Sequence, residues 1–182
     1  MLKLFLTNVV LETTDSDKHW YVVLTRTNSE RKVRDYFQLQ EVDTFLPVQN
    51  RVIECEGKRI ERERLLLPRM VFVHISRQEM AAVRSTLNVY DFLRDRSTGA
   101  PTCIPDAQMA DFRYMLDYSQ DQVILTGESI PKGTRVVVAK GDLQGLRGEL
   151  VRYNNKYHIL VRIDMFGSAM VTIPASYVRK EK

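Results

Sequence analysis

The pattern of the chain changes at Gly133, and that change limits what it can fold into. From there on, short runs rich in β-branched residues follow one another: Arg135 to Ala139, Arg147 to Arg152, Tyr157 to Ile163, and Ala169 to Ile173 with Tyr177-Val178. None has the apolar spacing of a helix, and each reads as a strand. Lys140-Gly141-Asp142 and Leu143-Gln144-Gly145 supply glycine where a turn needs positive φ, and Asn154-Asn155 suits a hairpin tip. Short strands in such quick succession are expected to form a small SH3-like β-barrel, which protects its edges by closing on itself.

The preceding part of the chain mixes two periods. Trp20 to Arg26 is a strand rich in aromatic and β-branched residues. Asn28 or Ser29 can cap the next helix, with Glu30 in its first turn and Val33, Tyr36, Phe37 and Gln40 at helical spacing. Asp43 to Glu54 and Glu61 to Ile75 flank a turn at Glu56-Gly57-Lys58 and read as an antiparallel hairpin. Pro68 cannot donate a ladder hydrogen bond, so it marks an edge or a bulge, beside which Leu67 and Met70 can be presented outward. Ser76 and Glu79 have capping-box spacing ahead of a short helix with Met80 and Val83 inward. Val89 to Arg94 is a further strand, and Pro105-Asp106 opens a helix with Met109, Phe112 and Leu116 on one face.

The order β-α-β-β-α-β-α predicts an α+β fold, a ferredoxin-like split βαβ unit with one added helix. The expected organisation is an N-terminal extension over 1–19, a first domain over 20–118, a linker over 119–131 and the barrel over 132–182.

Charge and composition exclude several classes of function. The chain has 182 residues and a formal net charge of +4, and the segment from Lys132 onward carries ten basic residues against four acidic ones. A positive C-terminal field speeds association with anionic partners and says nothing about fold. No apolar run has membrane-spanning length, and no secretory leader is apparent, so a cytoplasmic protein is expected. Cys55 and Cys103 form no metal-ligand spacing with His19, His74 or His158, and both are expected as reduced thiols in or near a core. No phosphate loop, HExxH or GxSxG occurs, so neither cofactor, metal nor catalysis is expected. The acids of Glu54 to Glu63 alternate with Lys58, Arg59, Arg62 and Arg64, as in a solvated hairpin tip.

The stretch Gly133 to Val151, with glycines at 141, 145 and 148 between apolar positions, resembles the KOW motif. Upstream, Trp20-Tyr21-Val22-Val23, Phe45-Leu46-Pro47, Leu65 to Val73 and Val89 to Leu93 occur in the order found in NusG-type N-terminal domains. The resemblance covers roughly residues 20 to 180 and implies a monomeric transcription elongation or antitermination factor. Its N-terminal domain would dock on the clamp region of RNA polymerase, and its KOW barrel would recruit a second partner, a ribosomal protein or a termination factor. Carried onto this sequence, the docking residues are Leu67 and Met70 around Pro68, with Leu24 and Phe92 as pocket partners. Arg26, Lys32 and Arg34 match the region that faces non-template DNA or nascent RNA, and Phe166 matches the barrel's contact residue.

Some positions depart from the family pattern. Arg69 and Asn88 stand where the family has glycine, Ser168 where it has arginine, and aliphatic residues replace the docking aromatics. These departures resemble a specialised paralogue, like the antiterminators of capsular polysaccharide operons. The competing expectation is a ribosome-associated or general RNA-binding KOW protein whose principal site is the basic barrel.

Overall fold

The computed structural model describes residues 18–55, 57–164 and 166–181, with the backbone alone for 51–55. Nearly all of the expected N-terminal extension therefore lies outside the described residues, as do Glu56 of the hairpin turn and Met165 beside Phe166.

The first sheet is built on β1 (His19–Thr25), which pairs antiparallel with β5 (Met70–Ile75) on one side and β6 (Val89–Phe92) on the other. β2 (Asp43–Phe45) extends the sheet beyond β5, and β7 (Cys103–Ile104) pairs with the start of β1. Because side chains alternate along a strand, the register sorts them into two faces. Tyr21, Val23, Val71, Val73 and Ile75 point to one side, where they pack with Val33 and Phe37 of α1 (Glu30–Leu39) and Val83 of α2 (Met80–Arg84). Trp20, Val22 and Phe72 point to the other, against Met109, Phe112, Met115 and Leu116 of α3 (Asp106–Tyr118).

None of the three described α-helices has a side-chain cap hydrogen bond at its N-terminus. Ser29 is the N-cap residue of α1, and its side chain makes no capping bond. Of the expected Ser76–Glu79 box only half forms: the Glu79 carboxylate accepts from the Ser76 backbone N–H at 2.7 Å and from its hydroxyl at 2.9 Å. The Ser76 hydroxyl is thus used on the carboxylate rather than on a backbone donor of α2. Cys103, expected in or near a core, is exposed, since alternation along β7 turns its neighbour Ile104 inward instead.

The expected single hairpin is two. β3 (Val48–Cys55) and β4 (Lys58–Leu65) pair only with each other, as a ribbon separate from the main sheet, while β2 and β5 pair within it. The break falls at Leu46-Pro47 on one strand and Leu66 to Arg69 on the other. Pro68 and the left-handed backbone of Arg69, φ 65°, interrupt the ladder there.

The C-terminal strands run antiparallel in the order β13-β9-β10-β11-β12-β8. They are β8 (Ile124–Thr126), β9 (Thr134–Val138), β10 (Arg147–Tyr153), β11 (Lys156–Ile163), β12 (Gly167–Thr172) and β13 (Val178–Lys180). Within the segment expected as a linker over 119–131, the apolar stretch around Val123 to Leu125 supplies β8, which pairs with β12. Gly167 permits that pairing, since a Cβ there would lie 2.2 Å from the Thr126 carbonyl oxygen.

An acid–base pair fastens the segment that leads into β9. Arg162 donates from Nε and Nη2 to the two Glu149 oxygens at 2.7 and 2.8 Å, and Glu149 also accepts from the Gly133 N–H at 2.8 Å. Arg162 Nη2 reaches on to the Ile130 carbonyl at 3.1 Å. The Arg162 hydrogen bonds hold the Glu149 carboxyl below its usual range, against the opposing effect of burial. A carboxyl depressed in the folded state adds stability above its unfolded pKa and loses it as pH falls through the folded value. Glu149→Gln is therefore expected to cost about 1–2 kcal/mol near neutral pH. In denaturant titrations the difference from wild type should shrink as pH drops below the ordinary carboxyl value of 4.5; a gap that is constant with pH rules out the ionic account.

Candidate interaction surface

The face of the first sheet that carries Trp20, Val22 and Phe72 is covered by α3 and by the C-terminal strands together. One apolar cluster runs from these residues through Phe112 and Met115 to Val136, Leu146, Ile159, Val161 and Val171. Its aromatic centre is Phe72, fully buried, with ring centroids 6.0 Å from Phe45, 6.2 Å from Phe112 and 5.6 Å from Phe166. Phe166 is the residue singled out from the barrel sequence, and the structure seats it, half-buried, on the N-terminal sheet.

Polar contacts frame this apolar junction. Gln108 of α3 donates to the Asp164 carboxylate at 3.1 Å and accepts from the Asp164 N–H at 2.9 Å. The Tyr114 hydroxyl donates to the Gln144 carbonyl at 2.8 Å. Gln49 Nε2 donates to the Asp121 carbonyl and Oε1 accepts from the Val123 N–H, both at 3.0 Å, which ties the root of the ribbon to the start of the second part. Asp111, also on α3, lies near Arg147 and Glu181; burial pushes its carboxyl up while Arg147 opposes the shift.

The expected docking residues divide between the two sides of the sheet. Leu24 and Met70 are register partners, both half-buried, and share the face of Val22 and Phe72. Met70 and Leu67 pack against the same cluster as Phe166. Phe92 does not join them. It pairs with Val23, is 3% exposed and meets Tyr21 edge-on at 6.2 Å, so it belongs to the core under α1 and α2. Leu93, the next residue, reaches the Leu67–Met70 side together with Leu66 and Phe45. Alternation along Val89 to Leu93 was the available signal, but only the pairing with β1 settles which parity faces which way.

Pro68 and Arg69 hold this edge in place. Arg69 sits in the left-handed region, and its backbone N–H donates to the buried Glu30 carboxylate at 2.8 Å. Its carbonyl accepts from the Thr25 N–H at 2.9 Å. Asn88, the other position where a glycine was expected, also has positive φ, 69°, and its carbonyl accepts from the Arg26 N–H. The backbone conformation that glycine would give freely is thus retained at both sites.

The expected nucleic-acid residues are less uniform. Arg26 and Lys32 are exposed and have no ion-pair partner among the described residues, whereas the Arg34 guanidinium is paired with Asp35 at 2.8 Å. Among the described residues no cluster could hold a metal ion, and no helix is long and apolar enough to cross a membrane.

Residues 18–113 match the family model for NusG, described as transcription termination factor nusG. Among solved structures the chain is similar to one described as "Domain interaction in Thermotoga maritima NusG", at 19% identity and a TM-score of 0.49 over 92% of this chain and 99% of that one. It is also similar to the MjSpt4:Spt5 complex in conformation A, at 14% identity and a TM-score of 0.30 over 90% and 98% of the two chains. Conformation B of that complex gives 15% identity and a TM-score of 0.31 over 88% and 95%. Comparison with curated proteins finds no significant match. The family so matched is one of transcription factors. The chain belongs to the NusG family.

Proposed function

We propose that the chain is a cytoplasmic, monomeric elongation and antitermination factor, built from an N-terminal domain over 20–118 and a KOW domain over 132–182. The first docks on the clamp region of RNA polymerase through Leu24, Leu67 and Met70, with Leu93 in the place first given to Phe92, and suppresses pausing or termination. Arg26 and Lys32, with Arg34, lie toward non-template DNA or nascent RNA. The KOW domain recruits a second protein through Phe166, a ribosomal protein or a termination factor, and the targets are selected long operons such as those of polysaccharide synthesis.

The observation that carries this reading is the meeting of the two surfaces. Phe166 packs on Phe72 in the same cluster against which Leu67 and Met70 rest. An apolar sheet face partly covered by a second domain of its own chain can be offered to another protein once that domain moves away, and a ligand favours the separated state only by its differential affinity for it. Binding of purified core RNA polymerase to the full chain and to residues 1–120, at low and moderate salt, tests the proposal. Both should bind, the shorter chain more tightly because nothing competes for the face, and an apolar contact should weaken little as salt rises. Binding confined to the basic barrel, with steep salt dependence, points instead to the RNA-binding alternative.

A further inference from the structure

The β9–β10 loop and the segment after β12 meet the chain leaving α3 at a groove of about 290 Å³, which the reading above does not use. Leu143 and Ile173, both buried, line it together with the exposed Pro174 and Tyr177. Tyr118 precedes Ser119 of the same lining. Both tyrosine rings are held from behind. Gly141 has a φ of 85°, and a Cβ there would lie 3.0 Å from the Tyr177 ring, so the bare backbone of glycine lets that ring lie close. The Tyr177 N–H donates to the Pro174 carbonyl at 2.9 Å, and its carbonyl accepts from the Ala139 N–H at 2.6 Å. The Tyr118 ring stacks 4.5 Å from Tyr114, which its hydroxyl ties to the Gln144 carbonyl. Tyr177 is nonetheless 39% exposed and Tyr118 52%. Rings that are exposed and already held offer large contact area at little cost in entropy. The lining also carries two exposed carboxylates, Asp121 and Asp142, against one cation, Lys140. Among the described residues neither aspartate is in an ion pair.

We propose that this groove binds a proline-rich peptide segment, extended as polyproline II and carrying a basic side chain. Size and charge select the occupant. Proline-rich segments dock in aromatic-lined grooves because their helix is preformed and loses little entropy on binding. An α-helix with its side chains is about 10 Å across and overfills a groove of this size. A single nucleic-acid strand could stack its bases on the tyrosines, but its phosphates would meet Asp121 and Asp142. The same two carboxylates attract an Arg or Lys beside the prolines and so set the choice of partner. Phe166 does not line the groove, so this peptide is additional to the second protein proposed above.

The test uses the full chain without polymerase, so its result is independent of the docking proposal. Fluorescence anisotropy is read with a labelled peptide of about ten residues, three turns of polyproline II, that repeats Arg-Pro-Leu-Pro-Pro. One control peptide has alanine for every proline, a second has glutamate for every arginine, and a third probe is a single RNA strand of about ten nucleotides. Wild type should bind the basic proline peptide with a Kd below about 1 mM and about tenfold or more tighter than either control peptide. Tyr177→Ala and Tyr118→Ala should each weaken that binding about tenfold, equivalent to about 1.4 kcal/mol. The pair Asp121→Asn, Asp142→Asn should weaken it too and remove its decline with rising salt. Because both aspartates are exposed, this pair reads the site even where a tyrosine variant melts early. Tyr90→Ala, at an exposed tyrosine outside the groove, should behave as wild type. Equal affinity for the proline and alanine peptides overturns the proposal. So does the absence of binding, or full affinity in the aspartate pair and both tyrosine variants. RNA bound more tightly than the peptide, and lost in the tyrosine variants, overturns it as well and marks the rings as a stacking platform for bases.

Discussion

The double variant Leu67→Asp, Met70→Asp is expected to lower the affinity of the chain for core RNA polymerase by about 100-fold or more. Fully desolvating one Leu or Met side chain contributes about 1.5–3 kcal/mol, and each 1.4 kcal/mol is a factor of ten. Both residues are half-buried in the free chain, which takes the lower end of that range for each. An aspartate in the contact adds the cost of desolvating a carboxylate with no partner. Neither position lies in the fully buried set, so the variant should fold, and a melting curve checks this. Leu39→Asp, at a site 81% exposed on α1 and away from the cluster, serves as the matched control and should leave affinity unchanged. Polymerase binding that survives the double variant would falsify the docking assignment.

How far this surface was legible depends on which residue is considered. Periodicity alone places Met109, Phe112 and Leu116 on one helix face, all three buried, and Val33, Tyr36, Phe37 and Gln40 on another, of which Val33 and Phe37 are buried while Tyr36 and Gln40 are exposed. Those predictions needed only the 3.6-residue repeat. Phe92 went to the wrong side because a strand's alternation gives two faces but not which is which, and the bulge between Leu24 and Thr25 shifts the pairing with β6. The outer ribbon was hidden for a related reason. Pro68 announced a break in the ladder, but the length of strand lying beyond the break is set by tertiary pairing. Charge on Lys58 to Arg64 then looked mixed, because the sequence lists in one line what the fold divides between two faces.

The substitutions at 69 and 88 show the opposite relation. Read as departures from the family's glycines, they point to a specialised paralogue. Both keep the left-handed backbone that glycine favours, and at Arg69 the conformation is held by Glu30 and Thr25. An L-residue in this region costs about 1 kcal/mol relative to glycine, offset here by a charge-assisted hydrogen bond. The loop that carries Leu67 and Met70 thus keeps its shape through a side chain 39 residues away, which no local pattern reveals.

Phe166→Asp should act on the two proposed partners in opposite directions, and that opposition separates a shared surface from a merely structural contact. With Phe166 seated on Phe72, the aromatic pair contributes about 1 kcal/mol to the closed arrangement, and a half-desolvated carboxylate in its place costs about as much again. A change of about 2 kcal/mol moves the closed-to-open ratio about 30-fold. Apparent affinity scales with the fraction of chains competent to bind. Polymerase should therefore bind the variant more tightly than wild type, approaching the affinity of residues 1–120, which lack the covering strands. The second partner should bind less well, because the open variant has lost the side chain that makes the contact. Titration of each partner against wild type and variant reads both effects. Equal polymerase affinity in the two chains means that the C-terminal strands do not compete for the face. If both partners bind the variant less well, the Phe72–Phe166 contact serves stability alone.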